Sequence, residues 1–272
     1  MTRMLADLTC LACGAAGERI SENSGGAMYS VGKGKSRLFC EVYAAGKSDW
    51  DATARYIAGL GLALKQAHAF RFENVPFRNF GRRPVGDGIA YPPADPQAVA
   101  LFDAGRLRLP FPVCWFEYVP PVCRIRDEAT TSGFLVEERG PDRNWRIWHF
   151  DRHEDAEGTT MCFRCAGVEL TRTLGRAGLD GFSSADADSE TLPDVRSVVV
   201  DPLGHWERPG SCHVGTDRRR HLFALYLASA LASRDKTLET VEPSKFENQR
   251  RSDRGLARLQ PYARVVIGGG AS

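Results

Sequence analysis

LPFPVCWFEY (109–118), GFLVEERG (133–140) and NWRIWHFD (144–151) are the runs whose reading decides the fold. Each is crowded with aromatic and β-branched residues, and Gly, Pro and Asp clusters separate one from the next, which is how short strands read in sequence. TTMCFRCAGVEL (159–170) and VRSVVVDPL (195–203) continue the series around an acidic loop, SSADADSE (183–190). The short connections predict an antiparallel meander.

Working outward, Thr216-Asp217 opens a helix that should bury Leu222, Phe223, Leu225, Tyr226 and Leu227 and end near Arg234. TLETVEP (237–243) and YARVVI (262–267) follow as closing strands. Upstream, Ser48-Asp49-Trp50-Asp51 carries a serine cap and an acid three residues on, so a helix is expected from there to about His68. Gly59 and Gly61 weaken it. Residues 75–96 are rich in proline and glycine and read as a long irregular loop, followed by a short helix over Pro96–Ala104. Residues 1–47 are rich in glycine and small polar residues and give no clear element. The class is α+β, a largely antiparallel sheet with packed helices and a closing C-terminal strand. Two regions are expected: 1–106, helical and irregular, and 107–272, the mixed core.

Composition narrows the function classes. A chain of 272 residues with 43% hydrophobic and 26% charged residues can bury an ordinary core and is not a disordered composition. Its net charge of +2 makes no case for nucleic acid by itself, so any such case rests on local patches. The longest apolar run, Leu222–Ala232, is too short for a bilayer, and no secretory core follows Met1-Thr2-Arg3. A soluble protein of the cytoplasm, away from membranes, is therefore expected. In that compartment the eight cysteines are free thiols or metal ligands before they are disulfides.

Two Cys-x-x-Cys pairs, Cys10/Cys13 and Cys162/Cys165, have the spacing of zinc knuckles, since two thiolates from a tight turn can share a tetrahedral ion. About 150 residues separate them, and buried cysteines used as small core residues are the plainer reading. His149, Asp151 and His153 alternate along HFDRHE, so an extended strand would put all three on one face. That makes a metal-dependent enzyme the alternative function, with Glu117, Glu137 and Glu138 as further ligands. Val31-Gly32-Lys33-Gly34-Lys35-Ser36 lacks the first glycine of a phosphate loop, that position being Tyr29, and reads as a basic turn. No nucleophile elbow is present.

The densest charge lies in KFENQRRSDRGLARLQPYARVVI (245–267). Between residues 245 and 264 six basic residues face two acids, a balance of +4, and Arg218-Arg219-Arg220 can add to it. Arginine forks pair with phosphate oxygens without reading base sequence. An exposed loop with solvated charges is the alternative.

With the preceding VEPS, this segment resembles the C-terminal part of a group of uncharacterised phage and prophage proteins. The matching pattern is Asn-x-x-Arg-x-x-x-Gly, here Asn248, Arg251 and Gly255, followed by Tyr262, Val265 and Val266. LPFPVCWFEY and GFLVEE resemble the upstream part of the same group. The resemblance covers about residues 107–140 and 217–267 and implies a phage-type accessory protein working in a bacterial host, but no reaction. Gly255 is expected in a left-handed turn, Asn248 braces it, and Arg251 reaches back to a strand-end carboxylate or carbonyls. Arg250, Arg254 and Arg258 remain as the candidate nucleic-acid contacts. A host-protein-binding module using the aromatic sheet is the third reading.

Overall fold

The computed structural model describes residues 2–13, 18–23, 26–31, 38–43, 60–75, 96–119, 131–155, 158–164, 167–171, 196–200 and 214–268. The helices are α1 (Arg3–Cys13), α2 (60–66), α3 (Pro96–Asp103), α4 (Val214–Ala232) and α5 (Lys245–Asp253). The first strands are β1 (Glu18–Asn23), β2 (Gly26–Val31), β3 (Leu38–Tyr43) and β4 (His68–Glu73). The aromatic runs give β5 (Val113–Tyr118), β6 (Thr131–Arg139), β7 (Asn144–Asp155), β8 (Gly158–Arg164) and β9 (Gly167–Thr171). Then come β10 (Arg196–Val200), β11 (Lys236–Val241) and β12 (Tyr262–Ile267).

The fold is α+β. The twelve described strands make one sheet in the order β1-β2-β3-β8-β7-β6-β5-β4-β12-β11, with β9 on β7 and β10 on β9. Eight pairings are antiparallel. The three parallel ones are β3 with β8, β4 with β5 and β4 with β12. The closing C-terminal strand is thus not an edge: β12 lies between β4 and β11. β7 forks the sheet, because Phe150–Asp155 pair with β8 while Trp145–Ile147 pair with β9. The run 159–170, expected as one strand, is therefore two strands that leave β7 on different branches.

The sheet also crosses the division expected at residue 106. β3 pairs with β8 and β4 with β5, so strands from both regions are hydrogen-bonded together. The helix expected to reach His68 stops by residue 66, and His68 opens β4 instead. Alternation explains this: Phe70 and Phe72 enter the core while Arg71 and Glu73 do not, a two-residue period that no helix satisfies. The expected helix start at 48–51, most of the Pro/Gly loop, the acidic loop and the basic turn after Val31 lie outside the described residues.

One face of the sheet carries the main core. Phe70, Phe72, Cys114, Phe116, Tyr118, Phe134, Val136, Trp145 and Ile147 pack there against Ala98, Val99 and Phe102 of α3 and Phe223, Ala224, Leu227 and Leu231 of α4. The Phe223 ring meets Tyr118 edge-on at 5.0 Å, and Phe102 meets Trp145 at 5.0 Å. Each such side chain contributes about 1.5–3 kcal/mol by leaving water. The alternate residues of β5 to β7, among them Trp115, Glu117, Leu135, Phe150 and Arg152, are buried as well. Strands apolar on both faces are what a sheet covered on both sides requires. On that second side α1 buries Met4, Leu5, Ala6 and Leu8. Among the described residues no helix is long and apolar enough to cross a membrane.

Candidate functional site

The arginine segment is not a loop in its first half. Residues 245–253 are helical, and the Ser244 hydroxyl caps the start by accepting the Glu247 N–H at 3.3 Å. Past the C-cap Arg254 the chain reverses at Gly255, whose φ of +70° is the left-handed conformation expected of it. The segment 256–259 then runs back along α5 and is tied to it at two points. The Asn248 side-chain amide donates to the Leu259 carbonyl at 3.1 Å and accepts the Leu259 N–H at 2.7 Å. Arg251 Nε donates to the Ala257 carbonyl at 2.7 Å. Asn248 and Arg251 thus act as a clasp that holds the segment after the Gly255 turn against α5.

The second partner of Arg251 is not a strand-end carboxylate. It is Asp7, on α1, whose Oδ1 lies 2.7 Å from Arg251 Nη2. Both side chains are buried, at 7% and 2% exposure. On the other side of Asp7, Arg152 Nε stands 3.9 Å from Oδ2. Cys10, one turn along α1, accepts the Ala257 N–H through Sγ at 2.9 Å. The same residue of the return segment is therefore held by Arg251 through its carbonyl and by α1 through its amide.

A further buried acid, Glu117, continues the cluster on the same side of the sheet. Its Oε2 accepts the Trp115 indole N–H at 3.1 Å, the Thr2 side chain hydrogen-bonds to it, and Arg71 lies opposite it in the β4–β5 register. The charge of Arg152 acts on both Glu117 and Asp7. Burial pushes the Glu117 carboxyl above its ordinary value of 4.5, against the pull of Thr2, Trp115 and the two arginines. Burial pushes Asp7 upward too, with Arg251 opposing it. Unpaired ions at such depth would cost several kcal/mol each, which is why the two acids sit among arginines.

The direction of the Glu117 shift sets a pH dependence. A carboxyl that keeps its proton longer when folded adds stability below its unfolded value, and that contribution is lost as pH rises through the folded value. The urea midpoint should accordingly fall as pH is raised above 4.5. Glu117→Gln, which keeps an acceptor for Trp115, should flatten that fall. An unchanged slope in the variant would show that Glu117 does not carry it.

The other sequence candidates separate. His149 is buried on the opposite side of the sheet, its Nε2 3.5 Å from Tyr118 Oη and its ring 4.9 Å from that of Phe134. Glu117, next to Tyr118 on β5, faces the other way, Glu137 pairs with Arg139, and Glu138 pairs with Arg143. The strand therefore brings His149 to a tyrosine, not to the three glutamates. The side chains of Asp151, His153, Cys13 and Cys162, all of Cys165, and the side chains of Arg218–Arg220 lie outside the described residues. Among the described residues no group of three or more His, Cys, Asp or Glu side chains is placed to hold a metal. Burial pushes the Cys114 thiol up to about 12, so it stays protonated and unreactive at neutral pH.

Arg250, Arg254 and Arg258 are all exposed. Arg250 and Arg254 are four residues apart along α5 and its cap, so they share a face. Arg258 lies between the two anchored residues Ala257 and Leu259, which fixes its backbone beside the helix. The chain matches no protein-family model, no curated protein and no solved structure.

Proposed function

We propose that this chain is an accessory protein of phage type whose α5 face contacts nucleic acid through Arg250, Arg254 and Arg258. One observation carries the reading: the arginines of a single short segment are divided into two sets. Arg251 is withdrawn to Asp7 and Ala257, and the other three face solvent from a backbone held at Asn248 and Arg251. A guanidinium on a fixed backbone loses less freedom on meeting a phosphate than one on a floppy tail. Three such forks supply affinity and position without base specificity.

The test is binding to labelled DNA and RNA at about 50 mM salt, where phosphate contacts are strongest. The protein should bind, and the combined Arg250→Gln, Arg254→Gln, Arg258→Gln variant should bind at least roughly tenfold more weakly. The slope of log affinity against log salt should fall by about 2–3 in that variant, as expected for three lost phosphate contacts. All three side chains are exposed, so the variant keeps the fold. A protein that binds neither DNA nor RNA overturns the reading.

A further inference from the structure

The most exposed large apolar side chain among the described residues belongs to this same helix. Phe246 is 71% exposed, and the Arg250 guanidinium stands 5.8 Å from its ring centroid. By contrast Phe111, at 38% exposure, is already stacked on His68 at 3.5 Å with the rings 8° from parallel. A lone surface phenylalanine is ordinary. This one is set in a cationic row: Phe246, Arg250 and Arg254 recur every fourth residue, with Lys245 beside them. Asn248 and Arg251 fill the inward face of the helix, so the fold makes no use of the ring.

We infer that Phe246 is a stacking platform for an unpaired base, and that the preferred ligand of the α5 face is single-stranded nucleic acid. The inference rests on the nucleic-acid reading above and sharpens it. A flat aromatic face beside the Arg250 guanidinium, on a helix that also carries Arg254, fits a polyanion that also presents planar rings. In a duplex the base faces are stacked on one another and only edges and phosphates are open. A ring on a convex helix therefore gains from a single strand what it cannot gain from a duplex. An apolar protein groove would want further large apolar neighbours on the helix, and its other outward residues are Lys245, Gln249, Arg250, Ser252, Asp253 and Arg254.

Anisotropy titrations of a short labelled oligothymidylate and of a duplex of equal length, at about 50 mM salt, decide the matter. The wild-type chain should prefer the single strand, and Phe246→Ala should weaken that binding about 5- to 150-fold with little effect on the duplex. Phe246→Leu, apolar but without a ring, should behave like the alanine variant, and Phe246→Trp should retain affinity. If Phe246→Ala binds the single strand as well as wild type, or both ligands weaken equally, the platform is refuted. Should duplex and single strand then still depend on the three arginines, the nucleic-acid reading stands without it. Absence of binding to either ligand removes both.

Discussion

Arg251→Ala should lower the unfolding free energy by about 3–5 kcal/mol, the usual effect of removing one partner from a buried ion pair. The substitution leaves Asp7 almost wholly buried beside the more distant Arg152, and leaves the Ala257 carbonyl without its Arg251 donor. Arg251→Lys should recover only part of the loss. One ammonium at the end of a flexible stem cannot reproduce a rigid fork that meets a carboxylate and a carbonyl together. Urea unfolding measures the effect as a lower midpoint at unchanged slope. In a cycle with Asp7→Asn, the two substitutions should be non-additive by about 0.5–3 kcal/mol, because the second removes the charge the first strands. A loss below about 1 kcal/mol would mean that the pair is screened like a surface one.

Gly133→Ala should come next, at roughly 3 kcal/mol or more, from crowding and a broken hydrogen bond together. A Cβ at Gly133 would sit 2.2 Å from Trp115 Cζ2 and 2.6 Å from Cη2, inside any tolerable contact. The indole has little room to retreat. It is fully buried, the Phe150 ring is 5.7 Å away, and its N–H is held by Glu117. Moving it would take one of Glu117's two side-chain hydrogen bonds away and disturb the cluster around Asp7. A fall in melting temperature of about 6–12 °C is expected, with a changed near-ultraviolet tryptophan signal. Trp115→Phe in the same chain should relieve most of the crowding. If Gly133→Ala melts like wild type, the indole is not locked where the structure has it.

Those two positions also show what could be read from the chain. The aromatic runs around Trp115, Phe134 and Trp148 announced strands, because β5 to β7 are buried on both faces and their composition says so without help from neighbours. α3, α4 and β12 were legible for similar reasons of period and capping. β1 and β2 were not: ERISEN and GAMYSV are polar or small and take their form from pairing, not from their own preference. α1 had a usable signal that the glycine-rich surroundings hid. Met4, Leu5 and Leu8 follow a helical period, and Asp7 alone among them was a sign of a buried partner. Within the clasp, the roles of Gly255 and Asn248 are local and could be inferred from spacing. The identity of the residue that Arg251 meets is not local at all, being 244 positions away.

That separation has a consequence for how the chain is made. Synthesis proceeds from the α1 side, so Asp7 exists long before Arg251 does, and β4 long before β12 gives it its second neighbour. Until residues 251 and 262–267 have been added, a nascent chain carries a carboxylate that lacks its nearest cation and a strand with one open edge. Fragments cut short before the clasp should therefore stay soft and sticky where the whole chain is firm.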